Sequence, residues 1–223
     1  MHGSQIKANE LSKFELFKNL TPNDIESVSK YIHCRNYPKK SQLISEGDPS
    51  HCIFFILSGS VKVYLDDSNG KEIIVNQHAV GEFFGELGLI QGISRTASVV
   101  TLETSQLGIM ADSDFKTCMR NHPAIMMNLI QNLVTRVVEA TETIRRLGLM
   151  DVYGRIAVTF LNLSEEVDGR RVIRKKLTQQ TIASHVGASR EMVARILKDL
   201  KAGQYITMEK GEIELLKPLP HEW

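Results

Sequence analysis

The spacing of apolar residues along this 223-residue chain becomes helical at Asp112, and that change limits the folds open to it. From Tyr37 to Met110, short β-rich runs alternate with turn residues, which predicts a β-sandwich or barrel. These runs are Cys52–Leu57, Val61–Leu65, Glu72–Asn76, Ala97–Leu102 and Leu107–Met110. Asn69-Gly70 predicts a hairpin between the second and third of them. Residues 10–33 predict a short amphipathic helical opening, which Thr21-Pro22 interrupts, with Thr21 as an N-cap.

The second half of the chain has helical spacing and opens with a long helix. His122-Pro123 starts this helix, which runs to about Leu149. Its apolar residues recur at alternating spacings of four and three, at Met126, Ile130, Leu133, Val137, Ala140, Ile144 and Leu147. Such a seam predicts a two-helix coiled coil and hence a dimer, while the alternative is a long helix packed on its own domain. Asp151 is the predicted cap of the next helix, 152–163, and we expect a hinge at this break.

Two capped helices and a glycine turn predict a helix-turn-helix within residues 177–203. The predicted caps are Thr178 and Ser189. The second helix carries three side chains away from its apolar side that suit the base edges of a major groove: Arg190, Glu191 and Arg195. Ser189 at the start of this helix suits a phosphate, and Lys198 suits the DNA backbone. For the charged side of the second helix, the alternative is an ordinary solvated face. Two strands around Lys210-Gly211 predict a wing.

One glycine-punctuated run, residues 81–97, carries a carboxylate at Glu86 and, nine residues later, a guanidinium at Arg95. A cyclic nucleotide needs this combination, because its phosphate takes a bidentate cation and its ribose hydroxyl takes an acceptor. Glycines allow the backbone to approach such a ligand where a Cβ would clash. The alternative is a surface loop with an incidental Glu and Arg, but the spacing of these residues between strand-like segments favours a binding site.

Composition narrows the class of protein. The net charge is +1, yet basic residues crowd two C-terminal stretches, 170–176 and 190–201, as in a local nucleic-acid footprint. The three cysteines are scattered and form no C-x-x-C pair, so we expect no zinc or iron–sulfur site and no cofactor. No stretch is long and apolar enough to span a membrane and no signal core is present, so we expect a cytoplasmic protein.

An enzyme is the rival class. Glu82, Glu86 and Asp112 are carboxylates, and His78 and His185 could act as bases. No nucleophile–base signature, Walker loop or metal-ligand spacing accompanies them, so the sequence predicts a binding protein rather than a catalyst.

Residues 81–97 resemble the phosphate-binding cassette of cyclic-nucleotide-binding domains. From about Phe14 to Leu216, the order of parts resembles the cyclic AMP receptor protein/fumarate–nitrate regulator family of bacterial transcription factors. Leu149–Ile156 is similar to the family's hinge, and Val186–Leu197 is similar to its recognition helix. The resemblance implies an α+β chain with a β jelly-roll cyclic-nucleotide-binding domain, a dimerisation helix and a winged helix-turn-helix, at residues 1–120, 121–150 and 151–223.

The resemblance also implies roles for single residues in the ligand pocket. Glu86 would bind the ribose hydroxyl and Arg95 the cyclic phosphate, with support from Gly85, Leu87, Thr96 and Ala97. Arg136 matches a position near the phosphate. The family's adenine-contacting Thr-Ser pair reads Ala140-Thr141 here, so the hydroxyl from the partner chain, Thr141, remains and the one from the same chain is missing.

For DNA, the resemblance implies base contacts to a TGTGA-type half-site and contacts to phosphates. The base-reading positions match Arg190, Glu191 and Arg195, and the phosphate-contacting positions match Thr178, Gln179 and Lys198.

The effector implied by the resemblance is a cyclic nucleotide, with cyclic AMP favoured. Thr96 matches a residue that favours guanine in some eukaryotic cyclic GMP domains, and some family members respond to cyclic di-GMP, so both stay open. The implied partners are double-stranded DNA at a palindromic site, a second copy of the chain and RNA polymerase, with no membrane. A constitutive, haem- or redox-sensing regulator of the same fold is the alternative. Intact Glu86 and Arg95 and the lack of clustered N-terminal cysteines argue against it.

Overall fold

The computed structural model describes residues 6–68, 72–174, 176–209 and 211–219. These residues form two compact units. The first takes the chain up to Leu65 together with Val75–Val138, and the second takes Asp66–Ile74 together with the residues from Glu139 onward. The predicted Asn69-Gly70 turn lies outside the described residues. None of the helices in the described ranges is long and apolar enough to cross a membrane.

The first unit opens with short helices. α1 (Ala8–Leu11) and a 3₁₀ turn (Glu15–Phe17) precede α2 (Pro22–Ser29). The predicted cap of α2 is confirmed, because the Thr21 hydroxyl accepts a hydrogen bond from the backbone N–H of Asp24 at 3.2 Å. A proline occupies the first helical turn, where its missing N–H leaves no hydrogen bond unmade.

Eight strands of the first half form two four-stranded sheets. They are β1 (His33–Tyr37), β2 (Gln42–Ile44), β3 (Cys52–Ser58), β4 (Val61–Asp66), β5 (Glu72–His78), β6 (Phe83–Phe84), β7 (Ser98–Thr101) and β8 (Ser105–Ala111). One sheet has the order β1-β8-β3-β6 and the other β2-β7-β4-β5. All of the predicted runs are strands, but β1, β2 and β6 were not predicted. β1 carries a single buried side chain, so its sequence shows no alternation.

The two sheets pack face to face, as the sandwich prediction requires. Their facing side chains form one buried cluster of Ile44, Phe54, Ile56, Val61, Phe84, Val99 and Leu107. On the other face of the first sheet, the Phe55 ring lies 5.6 Å from that of Phe14 and 5.4 Å from that of Phe17. Helices therefore cover one side of an antiparallel sandwich, which confirms the α+β class.

Three helices complete this half of the chain. α3 (Glu86–Gln91) lies between β6 and β7 and was not predicted. α4 (Asp112–Asn121) and α5 (Pro123–Leu149) follow β8, and α5 has the predicted bounds. Most of the residues in its apolar seam are exposed, including Ile130, Val137 and Ile144.

The second unit contains a winged helix-turn-helix. α6 (Val152–Leu163) follows Asp151, whose Oδ1 accepts a hydrogen bond from the N–H of Gly154 at 2.7 Å and so confirms the predicted cap. The later elements are β9 (Glu165–Val167), β10 (Arg170–Ile173), α7 (Gln179–Val186), α8 (Arg190–Ala202), β11 (Ile206–Glu209) and β12 (Glu212–Leu215). The strands form a sheet in the order β11-β12-β10-β9. Lys210 of the predicted wing turn lies outside the described residues.

Replacing Asn128 by alanine should destabilise the protein by about 2 kcal/mol. Asn128 is buried on α5, and its Nδ2 donates to the carbonyl oxygens of Leu16 at 3.1 Å and Lys18 at 2.8 Å. The substitution leaves both acceptors without this donor. Urea unfolding measures the change, and Gln131→Ala, an exposed position on the same helix, is the control. Equal stability of the two variants would contradict this role.

Candidate ligand pocket and DNA interface

A pocket opens between the cassette and the inner face of the sheet β2-β7-β4-β5. Its empty volume, open mouth included, is about 420 Å³. Each strand of the sheet contributes one side chain to the pocket floor: Ile44 from β2, Val99 from β7, Val63 from β4 and His78 from β5. The cassette supplies the walls with Phe84, Gly85, Glu86, Leu87, Gly88, Arg95, Thr96 and Ala97, and α5 adds Arg136.

The Arg95 guanidinium is buried in this pocket without a countercharge. Its side chain donates to the carbonyl oxygen of Gly85 at 2.7 Å and to that of Cys52 at 2.8 Å, while Arg95 is only 7% exposed. No carboxylate of the described residues lies within ion-pair distance. Burial raises the pKa of the Cys52 thiol despite the neighbouring Arg95, so the sulfur is not an anionic partner either. A buried cation of this kind favours an anionic ligand that accepts a forked pair of hydrogen bonds.

Gly85 is required by this arrangement. It precedes α3 with a φ of 87°, in the left-handed region that glycine tolerates. A Cβ at this position would lie 2.7 Å from Arg95 Nη1, so a side chain would displace the guanidinium. Glycine is therefore favoured at this position of the motif both by its backbone conformation and by the lack of space for a Cβ.

Glu86 presents one engaged and one unengaged oxygen. The side chain is 1% exposed, and its Oε1 accepts a hydrogen bond from Arg136 Nη1 at 2.7 Å. Its Oε2 is buried and has no hydrogen-bond partner among the described residues. Arg136 is itself held by the carbonyl oxygen of Phe83 at 2.6 Å and by the Phe83 ring, 4.8 Å from the guanidinium. Because a buried carboxylate oxygen without a donor is costly, Oε2 suits a ligand hydroxyl.

The structure brings together seven of the eight residues predicted for ligand binding. Gly85, Glu86, Leu87, Arg95, Thr96, Ala97 and Arg136 all line the one pocket. Thr141 is exposed on α5 in the second unit, and its contact from a partner chain stays a prediction.

One pocket residue, His78, was considered only as a base for an enzyme. It follows Ile74 by four residues on β5, so both side chains point to the same face of the strand, and both are buried. This alternation was a signal that could have placed His78 in the site.

The second unit presents α8 with its apolar side inward and its charged side outward. Val193, Leu197 and Leu200 are buried, whereas Arg190, Glu191, Arg195 and Lys198 are exposed. Arg190 and Arg195 form no ion pair within the described part of the chain, so their charges are available to a nucleic acid. Arg195 Nη2 donates a hydrogen bond to Met192 Sδ at 2.8 Å.

Both predicted caps of the helix pair are confirmed. Thr178 Oγ1 accepts a hydrogen bond from the N–H of Thr181 at 3.0 Å, and Ser189 Oγ accepts from the N–H of Met192 at 3.2 Å. Between the helices, Gly187 has a φ of 64° and makes the turn. Thr178, Gln179 and Ser189 are exposed at the helix starts, where a phosphate could reach them.

The described residues contain no group of three or more His, Cys, Asp or Glu side chains that could hold a metal ion.

Two family models match the chain. That of the cyclic nucleotide-binding domain matches residues 34–122, and that of the Crp-like helix-turn-helix domain matches residues 154–218. The chain is similar to the cAMP-activated global transcriptional regulator CRP of Salmonella typhimurium, with 35% identity over 83% of this chain and 90% of the relative. It is 32% identical to the cAMP-activated global transcriptional regulator Vfr of Pseudomonas aeruginosa, over 79% of this chain and 86% of that one.

A solved structure of similar fold is that of the c-di-GMP responsive global regulator CLP of Xanthomonas campestris. Its TM-score is 0.79 at 26% identity, and the match covers 88% of this chain and 100% of that one.

A pocket with a buried guanidinium on a β-sandwich, joined in one chain to a winged helix-turn-helix, is typical of a ligand-binding DNA-binding regulator. The chain belongs to the cyclic AMP receptor protein/fumarate–nitrate regulator family of transcription factors. Proteins of this family are transcription regulators that bind DNA, not enzymes. The enzyme reading of the sequence is therefore set aside.

Gly85→Ala should weaken binding of a cyclic nucleotide, because its Cβ would push the guanidinium of Arg95 aside. Gly92→Ala is the matched control. Gly92 also has a positive φ, 68°, but a Cβ there would meet no atom within 4 Å. Both variants carry similar backbone strain of about 1–2 kcal/mol, so calorimetric titration separates strain from displacement. Equal loss of binding in both variants would contradict the steric role of Gly85.

Proposed function

We propose that a cyclic nucleotide binds in the pocket of the first unit and allosterically controls how a homodimer of this chain binds a palindromic DNA site. The observation that carries the proposal is the buried Arg95 guanidinium, which has two backbone acceptors and no anionic partner among the described residues. Such a group is costly to bury until a ligand phosphate pairs with it. An anionic ligand therefore stabilises the folded unit by completing it.

The remaining contacts favour a nucleotide over a bare anion. Glu86 Oε2 is an unengaged buried acceptor, which suits a ribose hydroxyl. Beyond it, Val63 and Val99 provide an apolar floor on which a base can lie. Phosphate, sugar and base thus each meet a group of the matching chemistry.

Cyclic AMP is the favoured effector. The bacterial relatives that share about a third of their residues with this chain are named as cAMP-activated regulators. Cyclic GMP and cyclic di-GMP remain the alternatives, because Thr96 lies beside the phosphate arginine and a structural neighbour is a c-di-GMP responsive regulator.

The exposed seam of α5 supports a homodimer. Along this helix Ile130 is 52% exposed, Val137 64% and Ile144 70%, a row of large apolar side chains on one stripe. A 27-residue helix is roughly 40 Å long, so the stripe is far larger than the single apolar residues normal on a surface. The heptad spacing fits the same stripe of a second copy.

The dimer then sets the geometry of the DNA site. Two recognition helices related by a two-fold axis match two half-sites about 34 Å apart, of the TGTGA type implied by Arg190, Glu191 and Arg195. Thr178, Gln179, Ser189 and Lys198 would hold the phosphates, Thr141 would reach the ligand of the partner chain, and RNA polymerase would be the partner in transcription.

Thermal unfolding with cyclic AMP, cyclic GMP or cyclic di-GMP tests the ligand part of this proposal. One of the three, at about 100 times its dissociation constant, should stabilise the protein by roughly 2.7 kcal/mol. Arg95→Leu should remove this shift without lowering the stability of the ligand-free protein, because it removes a buried unpaired charge. Arg35→Leu, at an exposed position on β1, should retain the shift. A shift that persists in Arg95→Leu would overturn the proposed pocket.

Fluorescence anisotropy on a duplex with two TGTGA half-sites tests the DNA part, in the presence of the stabilising nucleotide. Lys198→Ala should weaken binding to all sequences and reduce the slope of log K against log salt by about one. Glu191→Ala should instead relax the preference at one base pair, at a cost of about 1–3 kcal/mol. Lys39→Ala, exposed in the first unit, is the control. Identical effects of the Lys198 and Glu191 variants would refute the assigned roles.

A further inference from the structure

The floor of the pocket runs from an apolar end beside Arg95 to a polar end at His78. Val99 pairs in register with Ile44 on one side and with Val63 on the other, and β5, which carries His78, is the next strand beyond Val63. A Cβ on Gly85 would approach both Arg95 Nη1, at 2.7 Å, and Ile44 Cδ1, at 3.3 Å. The guanidinium therefore lies at the Ile44 end of this row.

This polarity sets the direction of a bound ligand. A nucleotide with its phosphate on Arg95 and its base on the apolar floor would extend over Val99 and Val63. Its base then lies toward His78, which is the one ionisable side chain that the sheet contributes to the described lining.

The imidazole ring of His78 is held in a fixed orientation. It is 3% exposed and stacks on Phe84 with an interplanar angle of 6° and a centroid distance of 6.4 Å. Phe84 in turn stacks on Phe54, also at 6°, with centroids 5.0 Å apart. At the ring edge, Nδ1 lies 2.9 Å from Glu82 Oε1. A ring fixed in this way loses little conformational freedom when it binds a ligand.

Glu82 determines which ring nitrogen carries the proton. Burial acts to raise the pKa of Glu82. The hydrogen bonds from His78 and from the N–H of Ala79, together with the attraction of Arg136 and of His78 in its charged form, outweigh burial and leave that pKa below its ordinary value. In the neutral form of the ring, Nδ1 carries the proton, because the carboxylate only accepts, and Nε2 is then an acceptor. Nε2 has no hydrogen-bond partner among the described residues.

We propose that His78 is a specificity-determining residue of this pocket, whose Nε2 accepts a hydrogen bond from the exocyclic amino group of a purine base. The inference rests on the proposed function and adds the group that reads the base. An apolar side chain in this place would contact any purine equally, whereas an acceptor discriminates against a base that lacks the amino group.

Two pairs of nucleotides test this role by calorimetric titration. Cyclic AMP is compared with the cyclic monophosphate of unsubstituted purine riboside, and cyclic GMP is compared with cyclic inosine monophosphate. In each pair only the first ligand carries the amino group in question. The wild-type protein should bind the amino-bearing member of at least one pair roughly tenfold more tightly, as expected for a buried acceptor that would otherwise be unpaired.

The variants of His78 separate recognition from structure. His78→Leu should bring this ratio to about one while both ligands still bind, because the leucine fills the space without an acceptor. His78→Gln, which retains an acceptor on a planar group, should keep part of the discrimination. Purely structural damage would weaken both members of a pair alike and leave the ratio unchanged.

The outcomes distinguish the proposed role of His78 from the proposed function on which it rests. A wild-type ratio near one, or an unchanged ratio in His78→Leu, would overturn the role of His78 and leave the pocket as a cyclic-nucleotide site. If the wild-type protein bound none of the four nucleotides, or if Arg95→Leu left their binding unchanged, both the role of His78 and the proposed function would be overturned.

Discussion

The buried guanidinium of Arg95 is the constraint around which the ligand-binding unit is arranged. Burial of an unpaired charge is unfavourable. Among the described residues, that cost is reduced by the backbone carbonyl groups of Gly85 and Cys52 and by the Cys52 sulfur, 3.6 Å from Arg95 Nη2. Hydrogen bonds to carbonyl dipoles satisfy some donors but do not neutralise the charge. The unit therefore retains an uncompensated positive charge, and an anion that paired with it would gain binding energy, which is the basis of the proposed phosphate contact.

The groups around Arg95 follow from the same requirement. A left-handed Gly85 is needed so that no Cβ occupies the space of the guanidinium. The neighbouring Glu86 is kept away from Arg95 by its own ion pair with Arg136 at 2.7 Å. If Glu86 paired with Arg95 instead, the site would be neutral and would have little affinity for an anion. The Arg136 contact thus positions one carboxylate oxygen and leaves the other, Oε2, to a ligand hydroxyl.

Elements with strong local signals could be predicted from the sequence, and those without could not. Thr21, Asp151, Thr178 and Ser189 are caps whose side chains accept the hydrogen bonds expected of them, so the helix starts were correct. The strands β1, β2, β6 and β9 are two to five residues long and are paired by tertiary context, which periodicity cannot detect. The helix α3 was missed because its glycines disfavour a helix in isolation.

The residues of the candidate site also divide into those that a local sequence signal predicts and those that it does not. The cassette accounts for six of the seven predicted pocket residues, because a short stretch of chain brings these groups together by local geometry. His78 and the Glu86–Arg136 pair depend on contacts between residues distant in sequence, and Arg136 was found only through the family resemblance. The sequence also could not show that Arg95 lacks a countercharge, since an arginine in a motif does not show whether a carboxylate already neutralises it.

The central claim is that ligand binding in the pocket and DNA binding by α8 are coupled, and linkage tests it most directly. DNA affinity is measured by anisotropy with and without a saturating amount of the stabilising nucleotide, and nucleotide affinity is measured with and without DNA. Coupling requires that the two ratios are equal and differ from one, in the range of roughly 5–150-fold that is typical of allosteric proteins. A DNA affinity that the bound nucleotide leaves unchanged would contradict the account, even if the pocket binds its ligand tightly.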